Sequence, residues 1–197
     1  MDDREVLVID LDYDVDVLTS YYNSLRSYDI DDIDINHKDE FCKNTGINVI
    51  GNTIKDLKKS ITKKVHKRTD FVSKCDTTHP TIANIIKQLS EKIDNDIVIG
   101  DVSFFLQHAG EDVPTHSDFP YRKNTVLMIP LWGISSSITY YEDGGEYQIT
   151  SPTFLNITKR HGVKNVTENR LCLHFEIPNI PLKDIRLCEN MRKTINI

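Results

Sequence analysis

The chain predicts an α+β fold, a largely helical first half followed by a β-rich second half, folded as one domain over residues 1–197. Three observations carry this. Apolar residues recur at helical spacing only in the first half; from Asp96 onward they run or alternate over short segments; and no Gly-, Ser- or Pro-rich linker divides the two textures. With 197 residues, of which 39% are hydrophobic and 27% charged, the chain is large enough to bury a core as a single unit.

Taken in order, Glu5 to Asp10 is a short β run, and Asp12 or Asp14 caps a following helix with Val17, Leu18, Tyr21, Tyr22 and Leu25 on its buried face. Residues 28–52 are acidic and weakly patterned, so they read mostly as loop. Ile54, Leu57, Ile61 and Val65 fall at helical spacing within 53–68, a helix with a basic outer face. The next helix is better marked: Thr78 or His79 at its cap, Pro80 in its first turn, then Ile82, Ile85, Ile86, Leu89 and Ile93. His79 there is a capping neighbour rather than a ligand. Beyond Asp96, strands are expected over 97–106, 125–131, 154–158 and 170–177, and 138–142 and 146–150 form a hairpin across Asp143-Gly144-Gly145. These divisions make 1–95 the helical support with one strand, 96–178 the β core and 179–197 a C-terminal tail.

Bulk properties narrow the function. No apolar run approaches the roughly 20 residues of a membrane span, and Met1-Asp2-Asp3-Arg4 does not begin a secretory signal, so a cytoplasmic protein is expected. The cysteines Cys42, Cys75, Cys172 and Cys188 lack paired spacing and read as free thiols in a reducing compartment. The net charge of −6 argues against a nucleic-acid partner. It is unevenly spread: residues 1–40 hold thirteen acids and three bases, whereas 55–68 hold seven bases and one acid. The basic stretch is a solvated face, with an anionic partner as the alternative.

The chemistry concentrates in His116-Ser117-Asp118, His161 and Arg170. Two imidazoles and one carboxylate supply three ligands on one side of a metal and leave the other side open, which suits non-haem Fe(II) that must bind a co-substrate and dioxygen together. Arg170, nine residues past the second histidine, is placed to clamp an anion. A second triplet, His37-Lys38-Asp39, serves as a control: His79 follows it, but the context is acidic and unpatterned and no arginine is suitably spaced. By the two-residue period of a strand, Arg170, Cys172, His174 and Glu176 share one face, and Leu171, Leu173, Phe175 and Ile177 the other. The polar face then lines an interior and the aliphatic face packs on a supporting layer. The bland alternative makes His116 and His161 loop histidines and Arg170 a surface ion-pair partner. His174 reads as a core histidine, His108 as a neighbour of the pocket or mere packing, and Trp132, Tyr140 and Tyr141 as a substrate cleft or packing.

The ordered set H-x-D…H…R resembles the signature of the Fe(II)/2-oxoglutarate-dependent dioxygenases, of the prolyl hydroxylase or aspartyl/asparaginyl hydroxylase kind. The resemblance covers residues 97–177 and rests on Gly110 six residues before His116, on His161-Gly162-Val163 and on Arg170-Leu171-Cys172-Leu173. It implies a double-stranded β-helix (jelly-roll) core with supporting N-terminal helices. It also implies Fe(II) on His116, Asp118 and His161, and 2-oxoglutarate on Arg170 with help from Gln107 and Cys172. Dioxygen would be the oxidant and ascorbate a possible auxiliary. The reaction implied is hydroxylation, of a peptide side chain or a small metabolite, coupled to decarboxylation of 2-oxoglutarate to succinate. Two positions depart from the family: Gln107 stands where a tyrosine is common and Cys172 where a hydroxyl residue is common. Three rivals are distinguishable. A cupin-type metal protein would keep the barrel without 2-oxoglutarate chemistry. A haloacid-dehalogenase-type phosphatase would use Asp10 and Asp12 with Asp101 on a parallel sheet. A non-catalytic interaction protein would keep a degenerate barrel. The sequence specifies neither substrate nor oligomeric state.

Overall fold

The computed structural model describes residues 4–25, 69–117, 125–135 and 137–188. Strand β1 (Val6–Val8) leads to helix α1 (Val15–Ser24); strand β2 (Thr69–Lys74) and helix α2 (Pro80–Lys92) follow. Then come β3 (Val102–Gln107), β4 (Val113–His116), β5 (Thr125–Trp132), β6 (Ile138–Tyr141), β7 (Glu146–Tyr147), β8 (Thr153–Asn156), β9 (His161–Lys164) and β10 (Arg170–Ile177), and a 3-10 turn at Leu182–Asp184. The expected helix over 53–68 and the loop over 28–52 lie outside the described residues.

The strands form two sheets, one ordered β1-β8-β5-β10-β3-β2 and the other β4-β9-β6-β7. From β3 to β10 the chain crosses between them, so β3, β5, β8 and β10 belong to the larger sheet and β4, β6, β7 and β9 to the smaller. Every pairing among the described residues is antiparallel. This is an α+β jelly roll, the double-stranded β-helix, with β1 and β2 added at the two edges of its larger sheet. The phosphatase reading needs parallel strands and fails on this topology.

Strands β3, β5, β8 and β10 of the larger sheet are largely buried on both faces, and their side chains sort by parity. Leu171, Leu173, Phe175 and Ile177 of β10, Leu127 and Ile129 of β5 and Phe104 of β3, all 0% exposed, pack with Leu18, Ile82, Ile85 and Leu89 from the helices. On the opposite, inner face Cys172, Val126, Met128, Ile149, Leu155 and Ile157 form a second cluster. The two faces of β10 therefore divide as its alternation predicts. Phe104 sits at the centre of the outer cluster, edge-on to Tyr21 and Tyr22 at ring-centroid distances of 5.8 and 5.3 Å. Phe104→Ala is expected to cost about 3–5 kcal/mol, read as a loss of unfolding free energy in chemical denaturation.

The helices hold their places for local reasons. Asp14 caps α1, its carboxylate accepting from the backbone N–H of Asp16 at 2.9 Å and of Val17 at 3.0 Å. Leu18 is fully buried with Tyr21, Tyr22 and Leu25 beside it, but Val17 is 43% exposed. The stripe at positions 18, 21, 22 and 25 is already a complete helix face, and residue 17 falls outside it. Helix α2 begins at Pro80, whose missing N–H costs nothing in a first turn. His79 is its N-cap residue, and its ring stacks on Tyr21 at 3.9 Å, joining the helices. Leu182, Ile185 and Leu187, within the stretch expected as a tail, are buried against this same core, and Leu187 bridges to Ile93. Cys172 and Cys188 are free thiols, burial pushes the Cys75 thiol up to about 12, and Cys42 lies outside the described residues.

Glu5 ties the N-terminal strand to the β6–β7 hairpin. Its carboxylate accepts from Gly145 N–H at 2.8 Å, Tyr147 Oη at 3.0 Å and Lys159 Nζ at 3.4 Å. Burial alone would raise its pKa, but those hydrogen bonds and the Lys159 charge hold it below the ordinary 4.5. A folded-state pKa below the unfolded value contributes stability that is full above the unfolded value and lost as pH falls through the folded one. Glu5→Gln is therefore expected to flatten the acid limb of the melting-temperature profile below about pH 4.5.

Candidate metal centre and anion pocket

His116 ends β4 and His161 opens β9, and the two residues are direct cross-strand partners. Residues opposite one another in an antiparallel pair point to the same face. The imidazole centroids stand 4.7 Å apart with the rings tilted by 46°. Gly162 permits this close packing of strands: a Cβ there would lie 2.6 Å from the Val113 carbonyl oxygen and 2.7 Å from the Tyr140 hydroxyl. On the outer face of the smaller sheet, Tyr140 Oη and Thr115 Oγ1 bridge β6 to β4 at 3.0 Å across that glycine.

Each histidine is oriented by the carbonyl two residues before it. His116 Nδ1 lies 2.9 Å from Pro114 O, and His161 Nδ1 lies 2.9 Å from Lys159 O. A carbonyl oxygen can only accept, so both rings carry their proton on Nδ1 when neutral, and the lone pair resides on Nε2. Histidines that bind metals commonly carry such a hydrogen bond behind the ring, which fixes the tautomer and the ring's orientation. Two rings so close, each with Nε2 as its basic atom, fit a shared ion at bond lengths on the order of 2 Å. Ser117 Oγ donates to Thr158 O at 3.1 Å and pins the end of β4 beside the approach to β9. Asp118, the third expected ligand, lies outside the described residues, and among those described no group of three or more potential ligands is found.

Tyr141 is the cross-strand partner of His161 on its other side, with ring centroids 6.0 Å apart. Its hydroxyl donates to the Glu5 carbonyl at 2.8 Å, and burial pushes its pKa far above the ordinary 10.0, so it stands as a neutral wall beside the histidine. Tyr140 lies on the far side of the sheet, and Trp132 packs against the helix-facing core. Of the three aromatic residues considered for a cleft, only Tyr141 adjoins the histidines. His174 stacks on Phe105 at 5.4 Å, within the larger sheet. His108 follows β3, and its carbonyl accepts from Glu111 N–H at 3.1 Å. Of the control triplet, His37 and Asp39 lie outside the described residues.

Arg170 begins β10 on the inner face and is only 3% exposed. Its Nη2 approaches Met128 Sδ at 3.3 Å and Cys172 Sγ at 3.4 Å, both weak acceptors. Its Nε and Nη1 are buried with no hydrogen-bond partner. Directly across the strand pair is Gln107, 0% exposed, whose Nε2 donates to the Glu111 carbonyl and whose Oε1 has no partner. Gly133, at φ +70, packs its Cα side against the chain at this point; an added Cβ would lie 1.7 Å from Asn169 O and 2.7 Å from Arg170 Cα. Met128 was not anticipated from sequence, although its place in β5 opposite His174 puts it on the face shared with Arg170 and Cys172.

No protein-family model matches the chain, and no curated protein matches it. Solved structures similar to it include both 2-oxoglutarate oxygenases and cupins. The viral collagen prolyl hydroxylase vCPH from Paramecium Bursaria Chlorella virus-1, in its 2OG complex, aligns at 12% identity over 91% of this chain and 98% of its own, with a TM-score of 0.45. A Pseudomonas putida prolyl-4-hydroxylase aligns at 14% identity over 84% of this chain and 82% of its own, with a TM-score of 0.37. An rmlc-like cupin protein from Desulfovibrio desulfuricans aligns at 18% identity over 46% of this chain and 87% of its own, at 0.32. All three scores are below 0.5.

Proposed function

We propose that this chain is an Fe(II)- and 2-oxoglutarate-dependent oxygenase that hydroxylates a peptide side chain or a small metabolite. One observation supports this above the others: a guanidinium almost wholly buried inside the barrel with two of its three nitrogens unpartnered. An unpaired buried charge costs several kcal/mol, and a fold retains one where an anion comes to meet it. The paired, Nδ1-anchored histidines on the facing sheet supply the metal half of the same reading.

In this reading His116 and His161 hold the ion through Nε2, and Asp118 adds the carboxylate, as their residue types and order imply. Iron bound there would supply the activation of dioxygen, coupled to decarboxylation of 2-oxoglutarate to succinate. Arg170 pairs with the far carboxylate of the co-substrate in a charge-assisted contact. The inner apolar cluster of Val126, Met128, Ile149, Leu155 and Ile157 keeps water from that ion pair and strengthens it. Ascorbate would serve only to keep the metal reduced.

The test is succinate release from 2-oxoglutarate in the presence of Fe(II) and ascorbate, against panels of peptide and metabolite fractions. The expected result is iron-dependent succinate raised by at least one fraction. A second reading, a cupin-type metal protein without 2-oxoglutarate chemistry, is favoured by one detail: the Gln107 amide spends its donor on the Glu111 carbonyl and leaves an acceptor, not a donor, unpartnered on the strand beside Arg170. Activity with zinc or manganese and no succinate from any fraction would select that second reading.

A further inference from the structure

We propose that Glu5 is a positioning residue for His161: from the N-terminal strand it fixes both structures that aim the imidazole, the β8–β9 turn behind it and Tyr141 beside it. The proposal rests on His161 being a metal ligand and concerns what holds that ligand in place.

The carbonyl that orients the His161 ring belongs to Lys159, which lies in the turn between β8 and β9 and outside either strand. A turn carbonyl keeps its direction only as well as the turn is tied down. Glu5 ties this turn at both ends. Its backbone carbonyl accepts from the N–H of Asn156, where β8 ends, at 2.9 Å, and its carboxylate takes the Lys159 ammonium at 3.4 Å. Asn156 Oδ1 passes the restraint along, accepting from Thr158 N–H at 3.2 Å and Thr158 Oγ1 at 2.7 Å.

The same residue holds the other flank. The Glu5 carbonyl also accepts from Tyr141 Oη at 2.8 Å, and Tyr141 is the cross-strand partner of His161. The second carboxylate oxygen accepts from Gly145 N–H and Tyr147 Oη, both in the hairpin that follows Tyr141. The fit is close: a Cβ on Gly144 would lie 1.8 Å from Glu5 Oε1. The Glu5 side chain is only 10% exposed, so water competes little for these bonds. Glu5 thus acts on His161 through Lys159 and Tyr141. Loss of a partner directly behind a metal ligand costs about 10–100-fold in metal affinity. Glu5 stands one link further back, so the low end, about tenfold, is expected.

The test is equilibrium dialysis with Co(II), followed by proton NMR of the cobalt-loaded protein. Unpaired electrons on cobalt shift the Nδ1–H signals of bound histidines away from other resonances, and their exchange with water reports how firmly each N–H is held by its carbonyl. Glu5→Gln keeps an acceptor for Gly145 and Tyr147 but sets an amide NH2 against the Lys159 ammonium. It is expected to bind Co(II) about tenfold more weakly, with faster exchange of the His161 signal and an unchanged His116 signal. Lys159→Met breaks the same tie from its other side and gives the reading should Glu5→Gln fail to fold. Ile85→Val, which lowers stability through the helix-facing core, should alter neither readout. Unchanged cobalt affinity and exchange in both tie variants, or equal losses in Ile85→Val, would overturn the role of Glu5 and leave the metal centre standing. If the unaltered protein binds no cobalt, the metal centre itself is wrong and this inference falls with it.

Discussion

His161→Ala is expected to weaken Fe(II) binding by at least about a hundredfold, because loss of a hydrogen-bond partner behind a ligand already costs about 10–100-fold and loss of the ligand costs more. His161 opens β9 and is 8% exposed, and its partner His116 sits 4.7 Å away, ring to ring. Removing this imidazole leaves His116 and, as the only other proposed ligand, Asp118, too few donors to hold the ion tightly. The strand itself should survive, since β9 pairs with both β4 and β6 through its backbone. Equilibrium dialysis with iron reports the metal, and far-ultraviolet circular dichroism reports the fold. His79→Ala is the matched control: its ring stacks on Tyr21 between the helices, and iron binding should not change. If the two variants bound iron equally, the histidine pair would have no part in a metal site.

Arg170→Met is expected to act in opposite directions on ligand and fold. Truncating one partner of a buried charge pair costs about 2–5 kcal/mol, so 2-oxoglutarate affinity should fall by about 30- to 5000-fold. Arg170 is only 3% exposed, and two of its guanidinium nitrogens lack partners. Replacing such a charge by a side chain of similar volume stabilises a fold by about 1–4 kcal/mol in the cases where it has been measured. Met128 and Cys172 already line the position with sulfur, so a methionine there meets compatible neighbours. A raised melting temperature together with lost 2-oxoglutarate binding marks a residue kept for its ligand. A lowered melting temperature with unchanged 2-oxoglutarate binding would mark a structural ion instead.

How much of this was legible in the sequence depended on how strongly each segment was patterned. β10 was read to the residue, because eight alternating positions separate cleanly into two faces, and β5 was recognised as an unbroken apolar run. Helix α2 announced itself through Pro80 and three isoleucine or leucine positions that are now fully buried. The strands that carry the histidines were not seen as strands. Val113–His116 and His161–Lys164 are four residues each, contain a proline or a glycine, and alternate too briefly to show a period. Strand β2, with its Thr-Asp at the start, was missed for the same reason. The tertiary contacts were invisible. Nothing local says that Pro114 and Lys159 carbonyls orient the two imidazoles, that Met128 lies on Arg170, or that the Gln107 amide is turned by Glu111. Residues of that kind are set by strand register, which one chain's alternation constrains only after its pairing is known.

The most direct measurement is anaerobic titration of the protein with Fe(II) and 2-oxoglutarate, followed by visible absorbance. If one ion joins the paired imidazoles and the buried guanidinium anchors its keto acid, a metal-to-ligand charge-transfer band grows in and saturates. The band should need much more 2-oxoglutarate in Arg170→Met and vanish in His161→Ala. A protein that binds iron with no such band, or a band indifferent to both substitutions, would contradict the account.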